Sequence, residues 1–296
     1  MASALARRGT RRFKIRLFAM IASEIPEPTG FARLVADIRE IVREQRESYE
    51  LLLQMARRDL LLRYKQTAMG FGWAVSMPVL NMIIFSMIFT RVVRLETDLP
   101  YPIFAYAGLL PWNFFASSLR FAAESLTRNT PLVTKVYFPR EVLPFSAVLV
   151  SLVDFGVAAT VLAALMVWYG IGISWTIVFL PVVLLVQITF TAGIALLLAM
   201  GNLFYRDVRY LFEVILTVWM FATSVVYPVE RIGGLLGDLL LLNPMTPIID
   251  AYRAVLLRGE LPAAGPFAAA AALSVVTLFF AAIAFHRAKY SFAENI

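Results

Sequence analysis

Cysteine is absent from this 296-residue chain and histidine occurs once, as His286. The first absence excludes a disulfide frame, a thiolate metal site and a cysteine nucleophile; the second excludes a histidine-rich metal cluster. Charge is scarce too, 16% of residues against 60% hydrophobic. With a mean hydropathy of +0.75, too little polar surface remains to cover a water-soluble globule of this length. No GxxxxGK[ST] run occurs, so the usual cradle of backbone N–H groups for nucleotide phosphates is missing, and energy from ATP would have to come through another chain.

What is present is a set of long uncharged stretches: 25 residues at 66–90, 21 at 99–119, 51 at 155–205 and 25 at 261–285. A bilayer core is crossed by about 20 apolar residues in a helix. The chain therefore reads as an all-α, multi-pass membrane protein. The 51-residue stretch is long enough for two passes, the first carrying Asp154 just ahead of it and the turn at Gly170, Gly172 and Ser174 separating them. Counting 211–229, whose Glu213 sits near an interface, the pattern predicts six spans at about 70–93, 101–125, 142–169, 175–205, 211–229 and 266–286.

The net charge of +7 is not spread over a nucleic-acid-binding face. With six spans, one side of the membrane holds 22 of the 27 Lys and Arg residues and the other side 5, and the positive-inside rule puts both termini in the cytoplasm. Residues 1–30 begin like a signal-peptide n-region, but the apolar part at 17–22 is short and no small-residue cleavage pattern follows; a basic tail near anionic lipid is the reading adopted.

Between 31 and 65 apolar residues recur at helical spacing (Leu34, Ile38, Ile41, Tyr49, Leu52, Leu53, Leu60, Leu61) opposite Arg39, Glu40, Arg43, Glu44, Arg46 and Glu47. This is an amphipathic helix, lying in the headgroup plane or packed on the protein's own surface. The loop 128–140 is unusually apolar for a connector. Pro131 suits the first turn of a short helix capped by Asn129 or Thr130, which would present Leu132, Val133, Val136, Tyr137 and Phe138 as a knob to a partner or pack them on the membrane. At 230–260, two apolar stretches too short to span, 232–242 and 245–257, read as re-entrant helices before the last span.

Four runs together resemble the membrane subunit of ABC-2 type exporters, in the group that exports O-antigen, teichoic acid and capsular polysaccharide: RDLLLRYKQTAMGFGW (58–73), GLLPWNFF (108–115), NTPLVTKVYFPREVLP (129–144) and NPMTPIIDAYR (243–253). The resemblance covers about 50–290. It implies a transport subunit and not an enzyme, without a cofactor or metal of its own, in the inner membrane. It implies a homodimer joined by two copies of a separate ATPase that binds ATP and Mg, with an undecaprenyl-linked polysaccharide as cargo. By the same resemblance 31–65 is the interface helix, 66–290 the transmembrane domain, and Asn129, Thr130, Pro131, Leu132, Val133, Lys135, Val136, Tyr137 and Phe138 form the coupling helix seated on the ATPase.

A polar polymer needs a path with aromatic walls that stack on sugar faces. Tyr101, Trp112, Phe114, Phe115, Trp219 and Tyr227 are the candidates, although interfacial aromatics occur in most membrane proteins. Arg57, Arg58, Arg63 and Lys65 precede the first span and suit a lipid pyrophosphate, or serve topology alone. Asp154 lies deep in an apolar segment and must face protein, a partner or water, binding substrate or a proton or bonding to a neighbouring helix. Other readings are an ABC-2 exporter of a small lipid or drug, a membrane-embedded glycan enzyme, and an uncoupled scaffold or channel; for the enzyme, Glu230, Asp238, Asp250 and Glu260 are too scattered to make an acid/base pair.

Overall fold

The computed structural model describes residues 31–65, 67–92, 99–136, 138–228, 240 and 242–294, and every regular element among them is helical. The described residues divide into two compact units, with the boundary between Arg43 and Glu44. The expected basic tail and most of the first short apolar stretch, 232–242, lie outside the described residues, as does Tyr137.

The amphipathic segment makes two helices where its periodicity predicts one: α1 (Phe31–Glu47) and α2 (Tyr49–Tyr64). Ser48 leaves helical geometry at φ −99°, ψ 8°. The bonds around it persist, Ser48 N–H to the Glu44 carbonyl at 3.0 Å and Leu52 N–H to the Ser48 carbonyl at 2.9 Å, so the break is a kink and not a loop. In α1, Arg39, Arg43, Arg46 and Glu47 are exposed and Ile38 and Ile41 less so.

Among the described residues, four helices are long and apolar enough to cross a membrane. They are α3 (Gly72–Met87, extended by a π-helical turn, Ile88–Val92), α6 (Val142–Trp168), α7 (Leu180–Phe204, entered through a 3-10 turn, Trp175–Phe179) and α10 (Ala264–Ala288). Between α6 and α7 the chain turns at Gly170, whose φ of 69° a side chain would resist.

The expected spans at 101–125 and 211–229 are helical but different in kind. The first is α4 (Tyr101–Arg128), whose 28 residues reach about 42 Å. It is long enough to cross, yet it carries Asn113, Arg120 and Glu124 and has twenty buried residues, more than any other described helix. A helix wrapped by other helices does not need a lipid-like surface. The second, α8 (Val208–Phe221), has 14 residues, about 21 Å, and stops well before 229. After it come α9 (Met245–Arg253), continued by the π-helical turn Ala254–Arg258, and then α10, followed by a 3-10 turn (Lys289–Glu294). The short helix α5 (Thr130–Lys135) sits between α4 and α6.

The core forms around α4, which packs against α3, α6, α7, α8 and α9. At its centre Phe115 stacks on Phe190 of α7, centroids 5.7 Å apart, and meets Trp219 of α8 edge-on at 5.1 Å. Such pairs add about 1 kcal/mol each beyond the area they bury. Pro111 interrupts α4; beside it, Gln187 of α7 donates Nε2–H to the Pro111 carbonyl at 2.7 Å and accepts from the Tyr252 hydroxyl of α9 at 2.7 Å. Three helices are thus tied by one amide. The helices α7 and α10 approach through Gly193, where a Cβ would lie 2.8 Å from the Leu278 nitrogen and 3.0 Å from its Cα.

That contact leaves no room for a methyl group. Gly193→Ala gains about 1 kcal/mol of helix propensity but loses more by forcing two backbones apart, typically about 1–3 kcal/mol. Its melting temperature in detergent should fall by several degrees. Gly201→Ala, in the same helix with its nearest neighbour at an ordinary 3.5 Å, should hold or raise it; equal responses would refute the close-packing account.

Candidate functional site

At one end of the bundle, α2 is bound to α4 and α6 by a chain of polar contacts. Arg58 pairs with Asp59 at 2.7 Å and donates to Asn129 Oδ1 at 3.0 Å, and Ser146 of α6 donates to Asp59 at 3.1 Å. One turn on, Arg63 pairs with Asp154 of α6, which also accepts from the Tyr64 hydroxyl at 2.6 Å. The Arg63 guanidinium lies 3.6 Å above the Phe121 ring of α4. Burial first, then the adjacent carboxylate, push the Tyr64 phenol up to about 12, so it stays protonated and donates.

The four basic residues singled out before the first span therefore separate into two kinds. Arg58 and Arg63 are engaged inside the protein, whereas Arg57 and Lys65 are exposed. Asp154 faces protein, in a bond to a neighbouring helix.

The loop 128–140 folds differently from an outward knob. Pro131 occupies the first turn of α5, but no side chain caps the helix. Instead the Asn129 carbonyl accepts from Leu132 and Val133 at 2.9 and 3.0 Å, its amide donates to the Ser125 carbonyl at 2.8 Å, and its Oδ1 takes Arg58. Val133 is 1% exposed, packed with Leu126, Leu143, Leu196 and Phe285, and Phe138 lies against the same cluster. Pro131, Thr134, Lys135 and Val136 are the residues that face out; Leu132 is intermediate, and Thr130 bonds back to the Thr127 carbonyl at 2.9 Å. On a helix this short, one apolar side is consumed by the protein's own core, so the surface offered to a partner is mixed and not an apolar knob. Arg140 closes the loop, donating to the Val133 carbonyl at 3.2 Å and to the Lys289 carbonyl.

Beside this loop a buried charged group joins Glu44, Glu141, His286 and Lys289. The Lys289 ammonium is 3.0 Å from both Glu44 oxygens, and His286 Nδ1 lies 3.9 Å from Glu44 and 4.0 Å from Glu141. The donor atoms of Glu44, Glu141 and His286 lie within 4.8 Å of one another, the spacing of a metal site. Lys289 already supplies a cation to Glu44, so these residues make a poor cage for a second one. Both Glu141 oxygens are buried without a hydrogen-bond partner, and burial raises its pKa above the ordinary glutamate range.

The aromatic candidates fall into three groups. Trp112 and Phe115 are buried in the central core, with Trp219 packed against it. Tyr101 donates to the Val226 carbonyl at 2.8 Å and stacks on Phe89, while Tyr227 donates to the Phe221 carbonyl at 2.5 Å. Phe114 lines a cavity of about 190 Å³ between α3, α4 and α6. A second cleft, of about 240 Å³, carries the ion pairs Arg120–Glu213 at 3.0 Å and Arg209–Glu124 at 2.7 Å, which link α4 to α8.

Sequence reasoning missed the group around residues 222–226. Asn243 donates to the Ala222 carbonyl at 2.9 Å and accepts from Trp219 Nε1 at 3.0 Å, and Arg253 donates to the Ser224 and Val225 carbonyls at 2.7 and 2.6 Å while lying 3.8 Å from the Phe104 ring. A side chain at Gly108 would collide with the Val225 oxygen and Arg253. The runs 108–115 and 243–253 thus meet at one spot. A signal was available: Asn113, Gln187, Asn202 and Arg253 are polar residues in apolar surroundings, each requiring a partner.

Residues 50–257 match the ABC-2 type transporter family. Among curated proteins, the chain is 37% identical over 259 residues to the O-antigen export system permease protein RfbA of Myxococcus xanthus, covering 86% of this chain and 99% of that protein. It is 29% identical over 248 residues to the protein of the same name from Klebsiella pneumoniae, covering 83% and 95%. To the polysialic acid transport protein KpsM of Escherichia coli it is 24% identical over 226 residues, covering 75% and 87%.

Two outcomes follow from the charged contacts. Arg63→Met strands the Asp154 carboxylate and should cost about 3 kcal/mol; Asp154→Asn should cost less, since the amide oxygen still accepts from Tyr64, and the double variant should fall short of the sum. Additive losses in thermal melts would show that the pair is not coupled. For Glu141, a folded-state pKa above the unfolded one means that the native state holds the extra proton, so stability falls as pH rises past the ordinary glutamate range. Glu141→Gln should therefore raise the melting temperature at pH 8 more than at pH 5, and a uniform change would contradict this.

Proposed function

The chain belongs to the ABC-2 type transporter family, and from that membership we propose that it is the permease subunit of an exporter that moves a polysaccharide across the inner membrane. The observation that carries this is likeness to an O-antigen export permease along 99% of that protein's length, backed by weaker likeness to a polysialic acid transport protein. The role is that of a permease and not of an enzyme.

In this reading the subunit has six crossings, α4 and α8 joining the four long apolar helices, with α9 as a re-entrant element. The 22-to-5 distribution of Lys and Arg supports cytoplasmic termini. Two copies of the chain pair with two copies of a separate ATPase, which binds the ATP and Mg. α1 and α2 lie at the cytoplasmic headgroups, with the apolar Tyr49, Leu53, Leu61 and Leu62 exposed on α2. The cargo is a lipid-linked polysaccharide, and Arg57 and Lys65, the exposed two of the four basic residues before the first span, meet its pyrophosphate.

The ATPase docks on the outward side of α5. Force applied there reaches α2 directly, through the Arg58–Asn129 hydrogen bond, and reaches α6 through Ser146 and Asp59.

Val136 is 49% exposed and Val133 is 1% exposed, which separates docking from folding. Val136→Glu should reduce the ATPase recovered with affinity-purified chain by tenfold or more while leaving the melting temperature unchanged. Val133→Glu should lower the melting temperature instead. Recovery of the ATPase at the wild-type ratio with Val136→Glu would remove α5 as the docking surface, and recovery of none with the wild type would remove the ABC assembly itself.

A further inference from the structure

We propose that the cavity between α3, α4 and α6 is a sugar subsite that holds one ring of the exported glycan as it loads. This rests on the polysaccharide reading above and names the residues that would do the holding.

The cavity is lined by the aromatic Trp73, Phe114 and Phe155, by a polar floor that includes Asn113, Arg120, Ser151 and Asp154, and by small and apolar side chains, among them Met77 and Leu110. Its volume of about 190 Å³ far exceeds the roughly 10–15 Å³ that a single water requires. Three aromatic side chains around a polar floor are the composition that sugars select. Ring C–H groups lie on aromatic faces, and hydroxyls, which donate and accept, meet mixed polar groups.

The charge state of the floor argues for a neutral ligand. Asp154 is neutralised by Arg63 and also accepts from Tyr64, and Arg120 is neutralised by Glu213. No uncompensated charge remains to select a phosphate or a metal cation. The floor also holds polar groups whose needs the protein does not meet: Asn113 Nδ2 and Ser151 Oγ are buried with no hydrogen-bond partner. An unmet buried donor or hydroxyl costs about 1–3 kcal/mol. A lipid tail lying in the cavity would leave that cost in place, whereas a turn of either side chain toward the cavity lets a sugar hydroxyl relieve it. The position agrees with loading, because the cavity shares Asp154 with the α2 contacts next to the exposed Lys65, so a lipid-linked glycan whose pyrophosphate lies at the headgroups would present its first ring here.

The test uses the full-length chain in lipid nanodiscs free of glycoside detergent, with two probes: a synthetic polyprenyl diphosphate bearing one N-acetylhexosamine, and the same lipid without the sugar. Binding is read by quenching of tryptophan fluorescence and confirmed by calorimetry. The wild type should bind the sugar-bearing lipid about tenfold more tightly than the bare one. Asn113→Ala and Ser151→Ala should abolish that preference while leaving the affinity for the bare lipid unchanged. Trp73→Ala removes a wall residue that is 44% exposed, so it tests the subsite without disturbing the packed interior, and it too should abolish the preference.

Equal wild-type affinity for the two lipids, or variants that weaken both alike, would overturn the subsite and leave the export reading standing. Binding of neither lipid, together with unchanged surface glycan in cells lacking the chain, would overturn both.

Discussion

Carbonyl groups that lose their helical partners inside a membrane protein cannot turn to water, and the region after α8 is governed by that constraint. Where α8 ends at Phe221, the carbonyls of Ala222, Ser224, Val225 and Val226 point away from any helix ladder. They are taken up by Asn243, by both guanidinium nitrogens of Arg253, and by the Tyr101 hydroxyl. Four donor groups from α4, α9 and the turn before α9 must arrive together, which fixes α9 against α4 and brings Arg253 over Phe104. Gly108 follows from the same requirement, because only a residue without a side chain leaves space for the Val225 carbonyl and its donor. The runs 108–115 and 243–253, more than a hundred residues apart, are two halves of one solution.

The same logic recurs with charge in place of carbonyls. Asp154 would be costly in an apolar helix if left alone, and Arg63 and Tyr64 meet it; Arg120 on α4 is met by Glu213. Each pair also joins two elements, so the groups that had to be neutralised double as fasteners. This leaves α2 as part of the bundle wall.

The four long apolar helices were legible in the sequence because hydrophobicity and length are local quantities, readable within 20 residues. The enclosure of α4 was not, since its Asn113, Arg120 and Glu124 become tolerable only once other helices surround them. The end of α8 at Phe221 was hidden for a related reason: 222–228 is uncharged like the residues of a span, and its departure from the helix depends on donors from Asn243 and Arg253. The site shows the same division. An isolated Asp154 announces that a partner exists, but the partner is 91 residues away, beyond any periodicity. On α5 the apolar residues were visible and their direction was not. Val133 and Phe138 turn inward because a cluster built on α4, α6, α7 and α10 has room for them.

The close approach at Gly193 also bears on how the protein can move. With two backbones in contact and no side chain between them, α7 and α10 behave as a single strut that cannot shear without separating. α4 is held on every side. The remaining freedom belongs to α3, only 11% buried over its apolar window, about 30 Å long from Gly72 to Arg91, and in contact mainly with α4 and α6. A stretch of this length accommodates the thickness of the surrounding lipid by tilting against those two neighbours, which makes the bilayer itself a mechanical component of this molecule.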